Sequence, residues 1–226
     1  MTDNNTLFHC DAVLFDLDGV LIDSTPCIVR HWREWADRHR LEIQQIMRAA
    51  HGMRTIETMR AVAPHLDVEQ EERQFTAHEV VDVDGVAAIA EADRVLAELP
   101  AGAWAIVTSG SQALAEARLK QAGLPVPQVL VTADDVTRGK PAPEPYLAGA
   151  KRLGVLPERC LVFEDAPAGV IAAKKAGMRV VGITTTHTRE ALLENGADVV
   201  IGGWQELCFQ ESTDGWRLGL LLGDGI

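Results

Sequence analysis

Ala12-Val13-Leu14-Phe15-Asp16-Leu17-Asp18-Gly19-Val20 is the stretch whose reading settles the fold. Four apolar residues run without a break into an aspartate, a second aspartate and a glycine. A short continuous apolar run is the pattern of a strand buried on both faces, as in a parallel sheet. It predicts a strand over 12–15 that leaves the sheet at Asp16. Comparable runs recur at 104–107, 129–131, 160–163, 180–183 and 199–201. The run at 104–107 ends at Thr108-Ser109-Gly110, and that at 160–163 ends at Glu164-Asp165. Helical patterns at 112–122, 145–153 and 168–176 lie between them. Strands alternating with helices argue for an α/β fold, a Rossmann-like parallel sheet core with helices on both faces.

The first gap breaks that rhythm. From about Pro26 to Asp84 the sequence contains no strand pattern and reads as helices at 28–38, 42–50, 55–63 and 69–80, with breaks near His51-Gly52 and Pro64. Some sixty residues exceed what a crossover needs. The expected organisation is a core of residues 1–25 and 85–226 with an inserted helical cap of residues 26–84, returning at Asp84-Gly85. The tail 212–226 is glycine-rich and apolar, and fits a short terminal hairpin.

The 226 residues carry 21 Lys and Arg against 33 Asp and Glu, a net charge of −12 that argues against nucleic acid and against an anionic membrane as partner. No apolar run approaches the roughly 20 residues of a membrane span. Residues 1–9 are polar and lack the basic-then-apolar signal pattern. Cys10, Cys27, Cys160 and Cys208 are widely spaced, which suits free thiols in a reducing compartment. The expectation is a cytoplasmic protein. No repeated apolar interface is evident, so a monomer is expected.

In open α/β sheets, ligands collect beyond the carboxyl ends of the strands. Asp16 and Asp18 follow the first strand, Thr108 the second, and Glu164 and Asp165 a later one; Lys140 lies in the loop Arg138-Gly139-Lys140-Pro141. This set suits phosphoryl transfer. A carboxylate can attack phosphorus to form an acyl phosphate, and a second acid can protonate the leaving alcohol and then activate water. The i, i+2 spacing keeps Asp16 and Asp18 on one side of an extended backbone. Carboxylates facing a phosphate dianion need a divalent cation, and hard oxygen ligands favour Mg²⁺. Lys140 adds positive charge, while Thr108 and the amides after it can donate to phosphate.

Each piece alone is common in turns and helix caps; their order in one chain is specific. FDLDGVLIDS, VTSGS, GKPAPEPYL and VFEDAPAGVIAAKKAGM resemble the four motifs of the haloacid dehalogenase superfamily, over about residues 11–201. The insert resembles that superfamily's mobile helical cap. Its segment HGMRTIETMRAVAPHL is similar to the corresponding stretch of glycerol-phosphate and deoxysugar-phosphate phosphatases.

The resemblance implies a Mg²⁺-dependent phosphatase acting on a small sugar or polyol monophosphate. Asp16 would be nucleophile and metal ligand. Asp18 would be the general acid/base, with its backbone carbonyl on the metal. Thr108, the Ser109 amide and Lys140 would bind phosphate. Asp165 would hold the metal, with Glu164 next to it, either on the metal or just behind its ligands. His51 and Arg54 of the cap would lie over the substrate, with Arg54 near its hydroxyls or phosphate. Trp32 and Trp35, three apart on one helical face, are expected to be core or cap–core contacts.

Competing readings fit less well. A dehalogenase needs no metal and generally lacks the second aspartate. The resembling hexose mutases place a histidine five residues after the equivalent of Asp23, where this chain has Ile28. A phospho-aspartate receiver domain is shorter and has no such insert. A P-loop needs Ser or Thr after Gly-Lys, and here Pro141 follows.

Overall fold

The computed structural model describes residues 6–100, 102–212 and 215–220. Its elements in chain order are β1 (Thr6–Cys10), β2 (Ala12–Phe15), β3 (Ile22–Asp23), α1 (Thr25–His39), α2 (Ile43–Ala50), α3 (Thr55–Val62), α4 (Val68–Val81) and β4 (Ala87–Ala88). Then follow α5 (Ala92–Ala97), β5 (Trp104–Val107), α6 (Gln112–Ala122), β6 (Leu130–Val131), α7 (Glu144–Leu153) and β7 (Cys160–Glu164). The chain continues through α8 (Pro167–Lys175), β8 (Arg179–Ile183), α9 (Arg189–Glu194), β9 (Val199–Ile201), β10 (Leu207–Ser212) and β11 (Gly215–Leu220).

Six parallel strands form the central sheet in the order β6-β5-β2-β7-β8-β9. The apolar runs become its interior because both faces are covered. On one face Val13, Phe15, Ile106 and Phe163 pack with α5, α6 and Trp204. On the other Leu14, Val107, Val162 and Val180 pack with Tyr146 of α7 and with α8 and α9. Phe15 stacks on Phe163 with ring centroids 5.5 Å apart. The strand order reverses at β2, which has β5 on one side and β7 on the other. A crevice therefore opens beyond the carboxyl end of β2.

Between β2 and β5 the chain builds a separate helical layer. α1 to α4 enclose their own core of Trp32, Trp35, Ile46, Met59, Ala63, Val68 and Phe75. Trp32 and Trp35 meet edge-on at 5.5 Å within it, and the Trp35 indole donates to Glu71 at 2.9 Å. The two connections to the sheet lie side by side as the antiparallel pair β3–β4. Arg30 ties the exit to the entrance: it donates to both Asp82 oxygens, at 2.8 and 3.2 Å, and to the Asp84 carbonyl at 3.1 Å.

A three-stranded antiparallel sheet, β1-β11-β10, departs from the expected reading. The terminal hairpin begins earlier than expected, at Leu207, and its strand β11 also pairs with β1. Residues 221–226 of the expected tail lie outside the described residues. β1 is a strand in the segment read as polar; its pairing partner is some two hundred residues away, so no local signal announces it. β3 and β4 are too short to carry a pattern. None of the four cysteines is in a disulfide.

Candidate active site

Four loops converge on the β2 crevice. β2 delivers Asp16, β5 delivers Thr108, β7 delivers Glu164 and Asp165, and the turn before α7 delivers Lys140. All five side chains are buried. Lys140 Nζ donates to Asp16 Oδ1 and to Glu164 Oε1, both at 2.7 Å. The Tyr146 hydroxyl donates to the same Glu164 oxygen at 2.7 Å, and the ammonium lies 5.1 Å from the Tyr146 ring centroid. Burial works against the charge of Lys140, but the Asp16 and Glu164 carboxylates outweigh it and hold its pKa above the usual lysine range. Burial raises the Asp16 carboxyl; Lys140 opposes that, and Glu164 adds to it. The Asp165 carboxyl is pushed well up by burial and then by Glu164 and Asp16. One ammonium thus faces three buried carboxylates, a surplus of negative charge that calls for a further cation.

One carboxylate oxygen from each of Asp16, Glu164 and Asp165 lies within 4.8 Å of the others, so the acidic cluster can hold a divalent metal. The hydrogen bonds divide this set. Glu164 Oε1 accepts Lys140 and Tyr146, and its Oε2 accepts the amides of Asp165 and Ala166 at 3.0 and 3.2 Å. Both Glu164 oxygens thus already accept hydrogen bonds, which fits a place just behind the metal ligands better than one directly on the metal. Asp16 and Asp165 keep the geometry of a hard-oxygen site. Asp165 Oδ2 accepts the Thr186 hydroxyl from the loop after β8.

Two motif glycines are explained by these carboxylates. Gly19 has φ +81°, and a Cβ there would lie 2.1 Å from Asp165 Oδ2. A Cβ on Gly169 would lie 1.6 Å from Glu164 Oε1. Either side chain would displace an acid of the site.

Asp18 is held by a different set. Its Oδ1 accepts Ser24 Oγ at 2.6 Å and Arg118 Nη1 at 2.8 Å. Ser24 occupies the N-cap of α1 yet makes no capping bond, because its hydroxyl is turned to Asp18. The other arm of Arg118, Nη2, reaches Glu79 Oε1 on α4 at 2.9 Å. Burial works against the Arg118 charge, and the Asp18 and Glu79 carboxylates outweigh it and raise its pKa.

The helical layer covers the crevice, and a single pocket is lined from both sides. Asp16, Asp18, Thr108, Ser109, Asp165 and His51 all line it. Thr108 Oγ1 accepts the Gly110 amide at 3.1 Å, and the Ser109 hydroxyl donates to the Gly52 carbonyl at 2.9 Å. His51 lies edge-on to His187, with centroids 5.1 Å apart. Arg54 stands apart from the expectation: it does not line the pocket. Its guanidinium donates to the carbonyls of Val136 and Thr137, at 3.3 and 3.0 Å, and to Glu57 at 2.6 Å. It is a clasp between the insert and the core loop before Lys140. Sequence reasoning did not find Ser24, Glu79, Arg118, Tyr146 or Thr186. Tyr146 lies within the motif GKPAPEPYL; the others carry no local pattern.

The family profile of haloacid dehalogenase-like hydrolases matches residues 10–177, three-quarters of the chain. The chain belongs to that family. This haloacid dehalogenase-like hydrolase is 40% identical over 212 residues to hexitol phosphatase A of Escherichia coli K12, covering 92% of this chain and 97% of that one. It is 34% identical over 206 residues to glycerol-1-phosphate phosphohydrolase 2 of Saccharomyces cerevisiae, covering 84% and 81%. Among solved structures it resembles a hydrolase from Pseudomonas syringae with a TM-score of 0.74 and 28% identity, over 85% of this chain and 94% of that one. Among the described residues, no helix is long and apolar enough to cross a membrane.

Proposed function

We propose that this hydrolase removes phosphate from small sugar and polyol monophosphates through a phospho-aspartate at Asp16, as a cytoplasmic monomer. The observation that carries this reading is the buried Lys140 ammonium, 2.7 Å from Asp16 and 2.7 Å from Glu164, with Asp16 itself lining the pocket together with Thr108 and Ser109. An anionic nucleophile and a phosphate dianion need such fixed positive charge between them. Mg²⁺ held by Asp16, Asp165 and the Asp18 carbonyl would supply the rest of that charge. In the first step a carboxylate oxygen of Asp16 attacks phosphorus, the bond from phosphorus to the ester oxygen breaks, and Asp18 gives its proton to the departing alkoxide. In the second step Asp18 takes a proton from water, the water oxygen attacks phosphorus, and the bond to Asp16 breaks to release phosphate.

Residues 26–84 act as a cap over a core of residues 1–25 and 85–226. Closure excludes bulk water from the acyl phosphate. Ile28 lines the pocket and gives it an apolar wall where the mutase reading needs a histidine, which favours hydrolysis. Relatives that act on hexitol and glycerol phosphates point to the same substrate class. The test is phosphate release from a panel of sugar and polyol monophosphates with Mg²⁺, with and without chelator. Release that chelator stops and Mg²⁺ restores is expected. Interconversion of sugar phosphate isomers without release would replace the phosphatase with a mutase, and full activity in excess chelator would remove the metal.

A further inference from the structure

Glu79 is the residue of the insert with the least expected environment. It lies on α4, lines the pocket and has a side chain only 5% exposed. One oxygen is held by Arg118; the other, Oε2, is buried and has no hydrogen-bond partner. Arg118 Nε, on the pocket's other wall, is buried and unpartnered as well. Such orphans are rare and costly unless something else satisfies them. The pocket that this pair lines also has apolar side chains in its wall, among them Ile28, Trp32, Met47 and Leu114. Arg118 also fixes the place of Glu79 relative to the chemistry, because its other arm holds Asp18. Glu79 is therefore one guanidinium removed from the acid that serves the leaving alcohol.

Resting on the phosphatase reading, we propose that Glu79, positioned by Arg118, is the specificity residue for the leaving group. It accepts a hydroxyl of a neutral polyol or sugar and rejects an ester carrying a second anion. A hydroxyl donates to the unpaired carboxylate oxygen. A carboxylate or second phosphate in the same place meets a like charge in a wall that includes these apolar side chains. Arg118 does not offset this, since two carboxylates already share it.

Binding without turnover tests the proposal. Dissociation constants at pH 8 with Mg²⁺ are measured by calorimetry in the Asp16→Asn background, for sorbitol 6-phosphate, 3-phosphoglycerate and ethyl phosphate. Adding Glu79→Ala is expected to weaken sorbitol 6-phosphate about tenfold. It should tighten 3-phosphoglycerate by roughly threefold or more and move ethyl phosphate by less than about twofold. Equal changes on all three ligands would make Glu79 a structural tie alone and overturn the proposal, as would failure of sorbitol 6-phosphate to bind at all. Glu79→Gln keeps an oxygen for Arg118 and removes only the charge. If the alanine variant does not fold, the ratio of 3-phosphoglycerate to ethyl phosphate affinity in the glutamine variant decides the matter: a rise supports the proposal and no change overturns it. Phosphate release by the wild type is a separate readout. Its absence would sink the phosphatase reading while the binding ratios still decide the role of Glu79.

Discussion

At and beneath the floor of the pocket, Asp16, Thr108, Lys140, Glu164 and Asp165 are each at most 5% exposed and tied to one another or to backbone. Across from them the insert presents Ile28, Trp32, Met47, Met53 and one acid, Glu79. The floor hangs on strand ends whose positions the sheet fixes. The insert has its own core, and its polar ties to the floor include Ser109–Gly52, Arg54 on the 136–137 carbonyls and Arg118–Glu79. Bond-making chemistry needs side chains locked to within a fraction of an ångström. Selection and closure need a surface that can part from the floor without disturbing it. If the proposed division of labour holds, substitutions in the two halves should fail in different ways.

The largest expected effect is at the nucleophile. Asp16→Asn should lower kcat by about 10⁴-fold or more while the far-UV circular dichroism is retained. A residual rate within tenfold of wild type would place the nucleophile elsewhere. Next is Lys140→Ala, which leaves Asp16 and Glu164 buried without their cation. It should cost about 3–5 kcal/mol of stability in urea denaturation, beyond any loss of activity. A loss below about 1 kcal/mol would mean that water screens this cluster as it does a surface pair.

The same contrast governs what could be read from sequence. Floor residues announce themselves because each follows an apolar run, and the run and the acid are neighbours in the chain. Asp16, Thr108 and Glu164 are legible for this reason, and all six central strands with them. The insert's helices are legible to within three residues from their periodicity, but which of their residues face the pocket is not. Glu79 and Arg118 are separated by 39 positions and meet only after α4 and α6 pack. Arg54 shows the opposite failure: a cation beside a suggestive motif was read toward the substrate, and the loop carbonyls at 136–137 claimed it. Sequence places Glu164 beside Asp165 and so leaves open whether it binds the metal or supports a ligand. It cannot reveal that Lys140, Tyr146 and two amides occupy both its oxygens. β1 and β11 pair across nearly the whole chain, and no window of sequence contains both.

A smaller effect separates clasp from contact. Arg54→Ala removes two bonds from insert to core at a residue that does not line the pocket. It should lower kcat/KM about three- to tenfold, and equally for a polyol phosphate and for an aryl phosphate, since closure serves both. A loss confined to the polyol phosphate would return Arg54 to the substrate.

The finest test of the comparison is the pH dependence of stability. Burial pushes the Glu79 carboxyl up to about 7 from its ordinary 4.5, with Arg118 opposing and Asp18 and Glu72 adding to the rise. Between those values the folded chain holds a proton that the unfolded chain has released. Stability from this group is therefore fully present below about pH 4.5, falls as pH rises, and levels off above about 7. Glu79→Gln removes that contribution. In urea denaturation at pH 5 and pH 8, the variant should lose less stability between the two than wild type does. The difference should be on the order of 1–3 kcal/mol. Equal slopes would mean that Arg118 fully compensates the burial, leaving Glu79 an ordinary ion pair between insert and core. A steeper wild-type slope means that the insert carries a charge against its own stability. Burial raises the Asp16 and Asp165 carboxyls in the same direction, so the comparison of slopes separates an acid that burial disfavours from one that its cation fully supports.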